Sequence, residues 1–430
     1  MTPLAARSHP LRLSLTEEMH VRRFPSFVAP AQAVQLLVVN SPGTDGDSSY
    51  RHMAALCERL GAAPPPPAKH ALASLGELDM VWEQHSEFCT YSFILSGSAK
   101  DIFGVSPLDG IPSDWIEALP GEVYRATQIV LLDAGSPEPD VAELARHFRI
   151  EDLVSCDVYE GSARIWADFR QSEDGFGRLL IRDQGLTGTD TPRLVQQLQE
   201  LGNYRKMALL GMPVVQTLGI ELATAEDRLA QLSRAIASEE SEPEILLHDL
   251  SSLSATLARL QADTRFRMGA TEAYADLVTD RLESLKEGRL PGYPGLKDFN
   301  ERRLLPAVRT CRSFGDRLED VARRASWITA LLRTRVDTTM AQQSRDLLAS
   351  MNRRTRLQLR LQQTVEGLSA VAITYYLIGL IHYVAEGFAH RPGVPDPAVI
   401  AAAAVPLILI LVIIGLRRVH AGLHDDADPG

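Results

Sequence analysis

The sequence predicts an α+β protein: an N-terminal mixed or antiparallel α/β domain, a long helical stalk, and a C-terminal hairpin of two transmembrane helices. Three observations predict this. Short β-rich runs alternate with short helical patterns up to about residue 185; beyond Asp190 the strand signal gives way to long three-four apolar spacing; and two stretches near the C-terminus each run 19 residues without a charge. The boundaries that follow are an α/β domain over 1–185, a helical domain over 186–295, a stalk helix over 296–366, a hairpin over 367–416 with spans at 367–385 and 398–416, and a tail over 417–430.

Residues 1–19 carry Arg7, Arg12, Glu17 and Glu18 and no apolar run of signal-peptide length, so a cleaved leader is not expected. Strands are expected at Val34–Val39, Met80–Trp82, Phe88–Leu95, Val123–Asp133, Val154–Tyr159, Ala163–Phe169 and Arg178–Arg182, and helices at Ser48–Leu60 and Asp140–Phe148. Turns at Glu160-Gly161-Ser162 and Glu173–Gly177 favour antiparallel pairing late in the domain, and Pro64–Pro67 reads as a stiff linker. Helical patterns then occupy Thr191–Leu201, Ala223–Ala237, Pro243–Lys286 and Leu296–Tyr383. Gly288–Tyr293 breaks them, and Pro306 predicts a kink or restart. In the stalk, Leu318, Val321, Ala325, Ile328 and Leu332 keep three-four spacing, and Val336, Met340, Leu347 and Met351 resume it after a stutter.

The two C-terminal runs, Gly367–Ala385 and Ala398–Leu416, each reach about 28 Å as helices, the thickness of a bilayer's hydrocarbon core. Arg353, Arg354, Arg356 and Arg360 precede the first and Arg417 and Arg418 follow the second, while the Glu386–Pro397 loop holds only Arg391. That asymmetry predicts an inner-membrane protein with both termini in the cytoplasm and lipid as a partner. The second span is apolar all round. The first sets Glu366, Ser369, Ile373, Tyr376, Leu380 and Tyr383 on one stripe, so its polar groups should face the interior of a homo-oligomer. Glu366, Ser369, Tyr376 and Tyr383, with Glu386 at the outer end, are therefore candidate pore-lining residues; polar packing without a pore explains the stripe equally well.

The net charge of -11 coexists with 14 arginines against 6 acidic residues between Glu301 and Arg360. Only Phe314 and Trp327 interleave with those arginines, so membrane topology explains the bias better than nucleic acid. Cys57, Cys89, Cys156 and Cys311 are widely scattered, which predicts free thiols and no zinc site. No nucleotide fingerprint, P-loop, nucleophile elbow or metalloprotease motif is present, so an enzyme ranks third among the function classes. The most site-like cluster outside the membrane is His85 and Glu87 on one strand face, with His20 as a further ligand or acid/base partner; surface polar residues are the commoner meaning of such a cluster. Arg193–Pro213, with Tyr204 and Arg205 beside a Gly-Met-Pro stop, is explained by core packing and a helix C-terminus.

The blocks His9–Arg12, Glu18–Arg22, Trp82–Phe88, Leu331–Asp337 and Ser350–Tyr376 resemble a bacterial family of membrane-anchored proteins defined as a domain of unknown function, DUF3422. The architecture also resembles the CorA-type magnesium channels, which implies a pentamer with stalk helices forming a funnel and first spans lining a pore for a divalent cation, transported or bound. The Gly-Met-Asn signature of those channels is replaced here by Tyr383-Val384-Ala385-Glu386-Gly387, which removes the motif for hydrated magnesium and leaves Glu386 as the carboxylate at the mouth. Two functions follow: a cation channel or its regulatory derivative, and a membrane-tethered cytoplasmic binding module without a pore.

Overall fold

Nine residues, Ala31–Val39, form β1, and eight of them are buried although the run does not alternate. A strand covered on both faces needs no polar side, and β1 lies inside the sheet with helices above and below. The computed structural model describes residues 7–9, 11–12, 15–16, 24–40, 46–97, 101–238, 242–388 and 396–425. They fall into two compact units, Met1–Thr329 and Ala330–Gly430.

The first unit is built on a nine-stranded sheet. Its remaining elements are α1 (Gly46–Arg59), β2 (His70–Leu75), β3 (Leu78–Gln84), β4 (Phe88–Ser96), α2 (Ser113–Glu117), β5 (Glu122–Leu132), α3 (Val141–His147), β6 (Val154–Val158), β7 (Ala163–Ala167), β8 (Gly177–Asp183), α4 (Asp190–Leu209), α5 (Gly211–Ser238), α6 (Pro243–Ser284) and β9 (Gly288–Arg289), followed by the start of α7 (Leu296–Phe388). The strand order is β2-β3-β4-β1-β5-β8-β7-β6-β9. β5 and β8 pair in parallel and every other neighbouring pair is antiparallel, as the tight turns after β6 and β7 predict.

One face, carrying Ala33, Leu37, Ile129 and Leu131, packs on α4 through Leu194, Leu198 and Leu201. The other buries Val34, Leu36 and Val38 against Met53 and Leu56 of α1 and Trp115 of α2. All seven expected strands exist, with ends shifted by a few residues. β2 and α2 were not expected, because His70–Leu75 has no β-branched residue and α2 is only five residues long. α4 ends at Leu209 and α5 starts at Gly211, where a Cβ would lie 2.5 Å from Thr271 Oγ1 and 2.9 Å from Cys311 Sγ. Glycine is what lets three helices meet there. All four cysteines are free and buried, and burial pushes their pKa up, to about 11 for Cys89 and about 12 for Cys156.

α7 is one helix of 93 residues that passes through Pro306, so the predicted restart does not occur. Ring closure removes the N–H that would bond the Arg302 carbonyl. In the second unit, α7 continues and α8 (Pro397–Asp425) follows. Within 331–387 the buried positions are Leu332, Ala370, Thr374 and Ala385. Small residues at three of these four allow close helix approach. Among the described residues three helical stretches are long and apolar enough to cross a membrane: Leu296–Gly387 and Pro397–Leu416, which contain the two expected spans, and Asp190–Ser238, which the sequence reading assigned to a helical domain.

Candidate functional site

The sheet has a notch. β5 pairs with β1 along almost its whole length, but with β8 only over Thr127–Leu132, so among the described residues Glu122–Ala126 has no strand on that side. A cavity of about 190 Å³ opens beside this bare edge, closed by the Phe169–Gly177 segment and by α4.

Three cations converge on it. Arg125 and Thr127 lie opposite Leu37 and Gln35 and so point to the same face as those residues, towards α4. The register shifts between Leu37 and Val38, leaving Tyr124 as the extra residue of a β-bulge beside Arg125. Tyr124 Oη donates to the Lys206 carbonyl at 3.2 Å and ties the bulge to α4. From α4, Leu198, Leu201, Gly202 and Arg205 arrive at three-four spacing on one face, with Lys206 beside them. Gly202 makes the approach feasible: a Cβ there would stand 2.3 Å from Arg125 Nη2.

Neutral groups hold these cations. Arg125 Nη1 donates to Gln35 Oε1 at 3.1 Å and to Asn203 Oδ1 at 2.9 Å, while Gln35 donates to Ser92 Oγ at 3.0 Å. The Arg205 guanidinium carbon lies 4.1 Å from the Phe169 ring centre and 5.5 Å from that of Phe299, a cation-π arrangement, and its Nη1 is buried without a hydrogen-bond partner. Phe169 reaches this position with a positive φ of 55°. The turn is fixed by Asp168, whose carboxylate accepts the N–H groups of Arg149 and Arg170, each at 3.0 Å.

Burial drives the Arg125 and Arg205 guanidiniums below their ordinary range; for Arg125 the charge of Arg205 adds to the effect. Lys206 is lowered by burial and then by both arginines. Among the described residues no carboxylate offsets any of the three shifts. Guanidinium groups stay protonated, so the depression expresses the cost of holding charge without a counter-ion. The other two cations of the lining are neutralised: Arg170 by Asp152 at 2.6 Å and Arg178 by Asp174 at 2.8 Å. Chemically, the cavity is a receptor for negative charge.

The residues singled out from the sequence are placed elsewhere. His85 stacks on Phe88, with ring centres 4.3 Å apart, and its N–H bonds the Phe88 carbonyl at 2.8 Å. Glu87 is ion-paired with Arg267 and accepts from Tyr274 Oη at 3.0 Å, which joins the β3–β4 hairpin to α6. Burial, and then Glu87, raises Tyr274 to about 12. His20 lies outside the described residues, among which no group of three or more His, Cys, Asp or Glu is placed to hold a metal. In the second unit, Glu366 and Ser369 are half-buried, whereas Tyr376, Tyr383 and Glu386 are exposed, the tyrosines on a different side of the helix from Ala370, Thr374 and Ala385.

The model of one protein family matches residues 7–423, nearly the whole chain. The chain belongs to that family, described as protein of unknown function (DUF3422). No curated protein and no solved structure matches it. The match bears out the resemblance to the uncharacterised family, not the one to the CorA-type channels, and assigns no activity. Sequence reasoning passed over Arg125 and Lys206, and explained Arg205 by core packing and a helix C-terminus. Their signal was present as cations inside otherwise core-forming runs, EVYRATQIVLL in β5 and Leu198–Ala208 in α4.

Proposed function

We propose that this protein is a membrane-anchored receptor for a small anion, with the cavity between β5 and α4 as its binding site and the two C-terminal apolar helices as its anchor. The observation that carries the reading is the convergence of Arg125, Arg205 and Lys206 on one cavity with no carboxylate among its described lining residues. An unpaired buried charge destabilises a fold, so it is expected where a ligand supplies the counter-charge. The arginine flanks of 367–416 favour a receptor on the cytoplasmic side of the inner membrane.

The test is thermal unfolding and calorimetry of the full-length chain in mild detergent with a panel of small anions. Binding partners of the folded state raise its unfolding temperature. At least one anion should do so, and Arg125→Gln and Arg205→Gln should each weaken its binding about tenfold or more, the worth of a charge-assisted hydrogen bond. A panel without effect removes the reading.

A CorA-like cation conductor is the second reading, favoured by the exposure of Tyr376, Tyr383 and Glu386 along α7. In an oligomer this stripe would meet its copies around an axis. Reconstituted vesicles should then pass cations, less so with Glu366→Gln or Glu386→Gln. Verified oligomers that pass neither magnesium nor potassium above empty vesicles would leave the hairpin as an anchor only.

A further inference from the structure

We infer that the anion recognised between β5 and α4 is the phosphoryl group of a small soluble molecule rather than a carboxylate, an inference that rests on the anion-receptor reading above. Charge balance comes first. Among the described residues Arg125, Arg205 and Lys206 have no acidic partner, whereas Arg170 and Arg178 in the same lining are already neutralised. A carboxylate brings one negative charge to this cluster. A phosphomonoester brings between one and a half and two.

Donor geometry points the same way. Arg125 uses Nη1 for Gln35 and Asn203, which leaves Nε and Nη2 for a ligand. Arg205 is held by its faces against Phe169 and Phe299, and among the described residues its buried Nη1 has no hydrogen-bond partner, so edge donors remain. Lys206 adds an ammonium at the rim. Two guanidinium forks and an ammonium exceed what the two oxygens of a carboxylate accept, and they match three phosphoryl oxygens arranged around phosphorus. The amides that orient Arg125 are neutral, so the site has no internal counter-ion for the ligand to displace.

The walls also limit the rest of the ligand. Leu198, Leu201, Leu296 and Phe169 give the cavity an apolar side, and about 190 Å³ accommodates the anion with a short organic body. The bare main chain of Glu122–Ala126 stands beside it and offers hydrogen-bonding groups for that body.

Isothermal calorimetry on the full-length, detergent-solubilised chain tests this with inorganic phosphate, glycerol 3-phosphate, sulfate, acetate and succinate as probes. Phosphate or glycerol 3-phosphate should bind at least about tenfold more tightly than acetate or succinate. Glycerol 3-phosphate above inorganic phosphate identifies an ester as the ligand; the reverse identifies free phosphate. Either order supports a phosphoryl site. Equal binding of succinate and phosphate overturns the phosphoryl assignment and leaves the anion receptor standing, while silence from every probe overturns both. Because Arg125→Gln reaches into the core, Lys206→Gln and Arg205→Lys serve as milder variants. Lys206→Gln should weaken phosphate several-fold with the unfolding temperature of the unliganded chain unchanged, and Arg205→Lys should bind phosphate more tightly than Arg205→Gln. Phosphate binding unaltered by all of these variants would place it at another site and overturn the assignment.

Discussion

Gly202 sits in the middle of α4, where glycine costs about 1 kcal/mol relative to alanine, and its reason is Arg125. A methyl group there would occupy the space of Arg125 Nη2, 2.3 Å away. The guanidinium is the end of a flexible side chain and can swing aside, but only by giving up Gln35 and Asn203. The gain in helix propensity and the loss of those bonds oppose each other, so Gly202→Ala should change the stability of the unliganded chain by no more than about 1 kcal/mol. Anion binding should fall about tenfold or more in the same variant, because the displaced fork no longer faces the ligand. Chemical denaturation paired with calorimetry checks both halves, and a variant that binds normally would show that the position of Arg125 is irrelevant to the site.

At the scale of elements, the stalk is the part whose surface most needs a partner. From Arg333 to Val365 nearly every residue of α7 is exposed, including Leu347 at 65% and Met351 at 62%. Leu332, read from the sequence as part of the same stripe, is 2% exposed within the single chain and reports on its fold instead. Leu347→Asp and Met351→Asp should therefore weaken a homo-oligomer by setting charges into the interface while leaving the unfolding of the sheet domain unchanged. Light scattering in mild detergent reads the first effect and calorimetry the second; a monomer in the unaltered protein would end the assembly proposal. The same elements show what sequence can disclose. β1, β4 and β5 are legible because a dense β-branched and aromatic run has few alternatives, and α7 because its period persists for many turns. β2 is not, since Ala and Ser carry little strand preference and its place is decided by pairing with β3. The cavity was invisible for a related reason: Arg125 and Arg205 are 80 positions apart and meet only because a bulge in β5 and a glycine in α4 bring two elements together.

For the whole molecule, the open matter is which of three apolar helical stretches enters a bilayer. Asp190–Ser238 lies in the first unit and buries Leu194, Leu198, Leu222 and Leu229 against protein, while Ile220 stays 76% exposed. Pro397–Leu416 leaves Val399, Leu407, Ile410 and Leu411 exposed, a surface that water does not tolerate and lipid does. We propose two spans with both termini in the cytoplasm, as the arginine flanks of 367–416 favour. A reporter enzyme active only outside the inner membrane should work when inserted at Gly393 and remain silent when fused after Gly430. Activity at the second position, or after Ser238, would require a third span and reverse part of the topology.

The four buried thiols have a practical corollary. Cys57, Cys89, Cys156 and Cys311 are the only cysteines in the chain, and each is both enclosed and held in its protonated form by its surroundings. Maleimides and spin labels react with thiolate at an accessible sulfur, so the folded native protein presents them with almost no target. One cysteine introduced at Lys206, Met351 or Gly393 would then be the sole labelled position without any native sulfur being removed. The cavity, the stalk and the loop can each be observed in this way on an otherwise unaltered chain.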